Sequence, residues 1–223
     1  TFVRTDNHWQ TILMSSRVGD DANFDLQIQP RADGNRNFSM HAQNAGKVFK
    51  ILDLYPNMVG GKLRIKGVYH DDKTGQPLKG NVVVDGYRII NAPALAHVFS
   101  IMSLTGILEA LQGPGLVFTK LNIPFESSHG VFRLTDAKAA GTSLGFTASG
   151  KVFRHADIID LEGTVVPAYL INSAFGHIPL LGSLLTGGEK GGGVFAATYT
   201  MTGPMEKPVV SVNPLSALTP GFL

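Results

Sequence analysis

The sequence predicts a mainly β protein with some helix (α+β), built on an antiparallel sheet that keeps one face wet and carries two or three short amphipathic helices. Three observations carry that expectation. Apolar and polar residues alternate with a period of two in several segments, turn-forming residues separate those segments, and only 16% of the 223 residues are charged, well below the usual quarter. A two-residue period puts apolar members on one face of a strand and polar members on the other, and such strands suit an antiparallel sheet with one solvated side.

The alternation is clearest in four places. Phe24, Leu26 and Ile28 alternate with Asp25, Gln27 and Gln29, and Leu63 and Ile65 with Lys62, Arg64 and Lys66. Leu144, Phe146 and Ala148 alternate with Gly145, Thr147 and Ser149, while Ile159, Leu161 and Val165 oppose Asp160, Glu162 and Thr164. Asp33-Gly34, Asp71 to Gly75, His129-Gly130 and Ala140-Gly141 are the expected turns between strands.

Three segments break the two-residue rhythm. Residues 45–54 place Val48, Ile51 and Leu52 on one side and read as a short amphipathic helix. Residues 92–112 set Leu95, Val98, Phe99, Met102 and Leu108 at helical spacing, and Gly113-Pro114-Gly115 ends the run. Residues 168–185 are apolar but broken by Gly176, Pro179 and Gly182, which favours two short helices. Both longer runs approach the length of a membrane span, yet His97, Ser100, Ser103, Thr105 and Glu109 interrupt the first, and Asn172, Ser173 and His177 the second. They read better as helices lying on a sheet. The 187–193 run (GGEKGGG) is a loop before a strand beginning at Val194, and no linker divides 1–223, which reads as one module.

Composition narrows the function classes. Net charge is +2 with basic residues scattered, so the basic stripe that nucleic acid binding needs is missing. The absence of cysteine removes disulfides, thiolate catalysis and thiolate zinc sites. The start at Thr1, with neither Met nor a signal-peptide pattern, reads as an excised part of a longer chain.

The motifs for chemistry are weak. Gly141-Thr142-Ser143-Leu144-Gly145 fits G-x-S-x-G, but a nucleophile elbow needs a helix after the serine and an alternating strand follows here. The histidines at 8, 41, 70, 97, 129, 155 and 177 never show metal-ligand spacing; His97 and His177 are expected to be hydrogen-bonded at the edge of the core. Asp71-Asp72 reads as a solvated turn. The 187–193 glycines lack the G-K-[ST] ending of a phosphate loop, and Asn37-Phe38-Ser39 is an isolated sequon. No catalytic residue, metal or cofactor is expected, and an esterase using Ser143 is the weakest alternative.

From Asn91 onward the words become specific: 91–118 (NAPALAHVFSIMSLTGILEALQGPGLVF), 130–152, 159–188 with Gly163-Thr164-Val165-Val166-Pro167-Ala168-Tyr169, and 194–223 with Val212-Asn213-Pro214-Leu215-Ser216. This closely resembles the AsmA-like C-terminal region of YhdP-type envelope proteins (AsmA/TamB superfamily), chiefly the alphaproteobacterial branch. The match is tight over the last 130 or so residues, while 1–90 agree in strand rhythm only. The resemblance implies a strongly curved sheet forming an apolar groove, in the manner of bridge-like lipid transfer proteins. It also implies a periplasmic location, a tether through an N-terminal inner-membrane helix outside this chain, and a part in moving phospholipid between inner and outer membranes to keep the outer membrane intact.

Elementary energetics favours the same mechanism. Exposing an acyl chain of ~16 carbons to water costs on the order of 12 kcal/mol at about 0.8 kcal/mol per CH₂, and an apolar trough removes most of that without chemistry. The residues expected to line it and touch phospholipid acyl chains are Phe24, Leu26, Ile28, Leu63, Ile65, Phe132, Leu134, Leu144, Phe146, Ile159, Leu161 and Val165. The bland alternative makes these a closed core under helices 92–112 and 168–185. The other functional reading is a non-enzymatic scaffold whose strand edges pair with outer-membrane components.

Overall fold

The computed structural model describes residues 1–4, 9–17, 23–101, 105–142, 144–167 and 197–213. The expectations for 168–185, 187–193, Val194, Met102, Ser143, His8 and His177 fall outside these residues. Among the described residues, twelve strands form one antiparallel sheet in strict sequence order. They are β1 (Phe2–Arg4), β2 (Trp9–Arg17), β3 (Asn23–Pro30), β4 (Arg36–Ala42), β5 (Met58–Tyr69), β6 (Leu78–Ile89), β7 (Leu116–Ser128), β8 (Val131–Gly141), β9 (Leu144–Phe153), β10 (Ile158–Pro167), β11 (Ala197–Pro204) and β12 (Val209–Asn213). Helix α1 (Ala45–Ile51) joins β4 to β5, while α2 (Pro93–Ile101) and α3 (Thr105–Gln112) lie between β6 and β7. Among the described residues the sheet is open, with β1 and β12 at its two edges.

An up-and-down meander sends alternate connections to opposite ends. One end carries hairpin turns, including the two-residue turn His129-Gly130 with φ of 51° and 76°, the left-handed pair that suits the twist of paired strands. The other end carries all three described helices. Ala140-Gly141, expected in a turn, instead finish β8, because Ala140 still pairs with Gly145 and Gly141 with Phe118.

Register gathers the apolar positions on one side. A single row crosses the sheet from Phe2 through Ile12, Ile28, Phe38, Gly67, Gly80, Phe125, Leu134, Gly150, Leu161 and Met201 to Val210. A parallel row runs Phe24, Ala42, Leu63, Val84, Leu121, Ala139, Phe146, Val165 and Ala197. Two irregularities shape the sheet. Gly61 and Gly86 face each other with φ of 85° and 63°, a backbone state only glycine takes cheaply. A Cβ on Gly61 would also meet Val84, Tyr87 and Ala45. Central strand β7 contains Pro124, which has no N–H to give, and the β7–β8 register is interrupted between Asn122 and Phe125 where it sits.

The sheet curls toward its apolar side. Helix α2 leaves β6 and packs against β12, six strands further along. At about 4.8 Å per strand, a flat sheet would put β12 roughly 29 Å away, whereas the nine residues of α2 span only about 14 Å. The concave face is therefore the apolar one, and α2 lies inside the curve.

Candidate functional site: the concave apolar face

All twelve residues expected to line a trough sit on this concave face, because their registers link them across strands. They do not share one environment. Leu63, Phe146, Ile159 and Val165 are buried in the main core. Phe24, Ile65, Phe132, Leu144 and Leu161 are partly buried against it. Ile28 is buried outside that core, whereas Leu26 and Leu134 remain half-exposed and outside it.

The helices account for part of this division; Ile28 and Ile159 are buried at the hairpin end, and Phe24 and Leu144 are only half-buried at the helical end. At the helical end, Val98, Phe99 and Leu111 are 0% exposed and fill the curve. The Phe99 and Phe146 ring centroids are 6.0 Å apart, Phe146 is 6.0 Å from Phe118, and Phe118 stacks on Tyr87 at 5.1 Å. At the hairpin end, the face is furnished by Phe38 and Tyr69, edge to face at 6.2 Å, and by Phe125 stacked on Phe132 at 4.7 Å. Across β2–β5 of the same face Ile12, Met14, Phe24, Leu26 and Ile65 stay half-exposed, while Ile28, Met40 and Leu63 are buried.

Several sequence expectations are corrected. The helix expected over 92–112 is described as two, 93–101 and 105–112, and the chain doubles back, since the Asn91 N–H reaches the Leu111 carbonyl at 3.1 Å, a span one continuous helix would hold far apart. His97 is exposed rather than at the core edge, because α2 turns its neighbours Val98 and Phe99 inward. The helix expected over 45–54 ends at Ile51, and its N-terminus is capped by Asn44, whose Oδ1 accepts from the Lys47 N–H at 3.0 Å. It buries Ala45 and Val48, while Ile51 and Leu52 face outward.

Asp71 is not a solvated turn residue. Its carboxylate takes two hydrogen bonds from Arg36, at 2.8 Å and 2.7 Å, with the two side chains only 5% and 9% exposed. The Arg36 guanidinium also donates to the Trp9 carbonyl and lies over the Tyr69 ring, 4.6 Å from its centre. Arg36 thus ties β2, β4 and the β5–β6 turn together at the hairpin rim.

The polar face holds two depressions, of about 410 Å³ by Thr147, Ser149, Glu162, Thr164 and Thr200, and about 320 Å³ by Asp25, His41, Lys62, Arg64 and Asp85. Among the described residues no three His, Asp or Glu side chains gather as a metal ion would need. The G-x-S-x-G stretch joins β8 directly to β9, so a strand, not a helix, follows Ser143. Burial, with no compensating charge, raises the Tyr55 phenol to about 12 and pushes Tyr199 well above its ordinary value. Tyr87 is pushed up by burial first and by Tyr55 second. The Tyr199 hydroxyl donates to the Thr147 carbonyl at 2.7 Å.

No family model, curated protein or solved structure matches this chain. The geometry of the concave face therefore carries the functional argument. Among the described residues, no helix is long and apolar enough to cross a membrane.

The sequence reading overlooked several residues of this face. Phe38, Met40 and Ala42 alternate legibly with Ser39 and His41 and were readable. Val82 and Val84 were hidden by Val83 in an unbroken valine run, and Tyr87 and Ile89 by the phase change at Gly86.

Proposed function

We propose that this chain is a periplasmic, non-enzymatic lipid-binding segment that shields phospholipid acyl chains during their movement between inner and outer membranes. The observation that carries this reading is the concave apolar face: a row of non-polar residues crosses the twelve described strands, and in its β2–β5 part Ile12, Met14, Phe24, Leu26 and Ile65 are only half-covered. Half-exposed apolar surface on a curved sheet is what a hydrocarbon chain needs to leave water. The sequence words that resemble the AsmA-like region supply the envelope setting, the N-terminal inner-membrane tether and the link to outer-membrane integrity.

The deciding experiment is native mass spectrometry of the chain purified from a bacterial host without detergent. Bound phospholipid is expected, and Leu26→Asp is expected to remove it while leaving the circular dichroism spectrum unchanged. Protein that carries no lipid and takes up no fluorescent phosphatidylglycerol would end the proposal.

A scaffold reading has one specific observation in its favour. Among the described residues β12 pairs only with β11, and Val209 on it is 69% exposed, so its edge suits an added strand from an outer-membrane component. Photo-crosslinking from Val209 in cells separates the readings: a scaffold yields one protein adduct, a conduit yields lipid.

A further inference from the structure

Helices α2 and α3 hang on a narrow neck. Asn91, at φ 47°, donates its N–H to the Leu111 carbonyl at 3.1 Å, so the chain leaves β6 and returns toward β7 through one closed point. The Asn57 amide braces that point by donating to the Ile90 and Asn91 carbonyls at 3.1 Å and 2.8 Å. On the return side Gly115 is left-handed at φ 88°. Between the helices lies a cavity of about 550 Å³ bordered by Ala96, Ser100, Leu108 and Leu111.

A modest apolar surface anchors this unit: of the described side chains in the two helices, Val98, Phe99 and Leu111 are buried, and Ala94, Leu95, Ala96, Ile107 and Leu108 pack partly buried against the core. The three buried ones lie on the concave face, in the curve that continues from the half-covered trough. They are apolar side chains doing there what methylene groups of a lipid would do.

We infer that α2–α3 is a displaceable plug, with Val98, Phe99 and Leu111 standing in for an acyl chain and withdrawing when one arrives. The inference rests on the lipid reading above and adds the regulation of its site. An incoming chain replaces the apolar contacts that the plug gives up, so the exchange leaves the core covered throughout. Asn91 and Gly115, at the two ends of the unit, are where the backbone rotation would be absorbed.

The chain has no cysteine, which makes thiol labelling a clean test. Val98→Cys and Val165→Cys are near-isosteric changes at two positions that are both 0% exposed, one on the plug and one on the sheet. Equal denaturation midpoints of both variants and the parent chain establish that each is folded. In the protein alone, the Val98→Cys thiol is expected to react about 10-fold faster than Val165→Cys, as sub-global opening requires. Phosphatidylglycerol vesicles are expected to speed it further and leave Val165→Cys unchanged. Equal rates at the two positions overturn the plug. A vesicle-insensitive Val98→Cys thiol in protein that binds lipid by mass overturns displacement by lipid. The same insensitivity in protein that binds none counts against the lipid reading instead.

Discussion

Arg36 and Asp71 show how one side-chain pair can outweigh its neighbours on the same sheet. Both are almost wholly buried, whereas Arg64 and Asp85 form a pair that is 54% and 37% exposed. Removing one member of a buried pair strands the other charge, at a cost of about 3 kcal/mol or more, and an exposed pair contributes no more than about 1 kcal/mol. Asp71→Ala should therefore lower the urea midpoint far more than Asp85→Ala, and equal effects would show that Arg36 finds water instead. The buried tyrosines give a second residue-scale prediction. Burial raises Tyr55, Tyr87 and Tyr199 above their unfolded value of 10, so their contribution is fully present below pH 10. It is lost as pH rises toward the folded values, because the unfolded phenols ionise first. Stability should fall above pH 10 by up to about 4 kcal/mol per pH unit if all three stay neutral in the fold. Urea midpoints at pH 9, 10 and 11 measure the slope.

At the scale of elements, successive hairpin turns lock onto one another. A side chain on Gly75 would collide with the His129 ring, and one on Gly130 with the His155 ring, so each turn seats a histidine of the next on its glycine. The backbone joins in, with Arg154 donating to the Gly130 carbonyl at 2.9 Å and Met205 to that of Asp157 at 2.8 Å. Gly130→Ala should cost about 2 kcal/mol through its positive φ and the displaced ring. In a His155→Ala background the cost should drop toward about 1 kcal/mol, the strain of the backbone alone. A double-mutant cycle by thermal denaturation reads the difference, and additivity would show that ring and glycine are independent. The helices were legible as helices from their spacing. Their inward faces were less so: the end of α1 carries Val48, Phe49, Ile51 and the following Leu52 around Lys50, and nothing local says that Val48 goes in while Ile51 and Leu52 stay out.

At the scale of the molecule, the concave face mixes buried and half-exposed positions, and substitutions should follow that difference. Phe146→Asp places a charge between Phe118 and Phe99 and should unfold the chain, since an unpaired charge in such a place costs several kcal/mol. Leu134→Asp, on a half-exposed position outside the core, should keep the fold and impair lipid uptake. Circular dichroism with fluorescent phosphatidylglycerol binding separates the two, and a folded Phe146→Asp variant would mean that α2 does not rest there. The sequence by itself determined which residues share a face, because a two-residue period depends only on local backbone geometry; all twelve expected trough residues fall on the concave side for that reason. It also determined the helical character of 45–51 and of 93–112 where described, and most turns, which are local matters too. Only the tertiary structure decided which of those twelve are spent on the protein's own packing. That depends on α2 meeting β12 across six strands, and on Arg36 finding Asp71 thirty-five residues away. Such contacts arise from curvature and register summed over the whole sheet, and no window of sequence contains them.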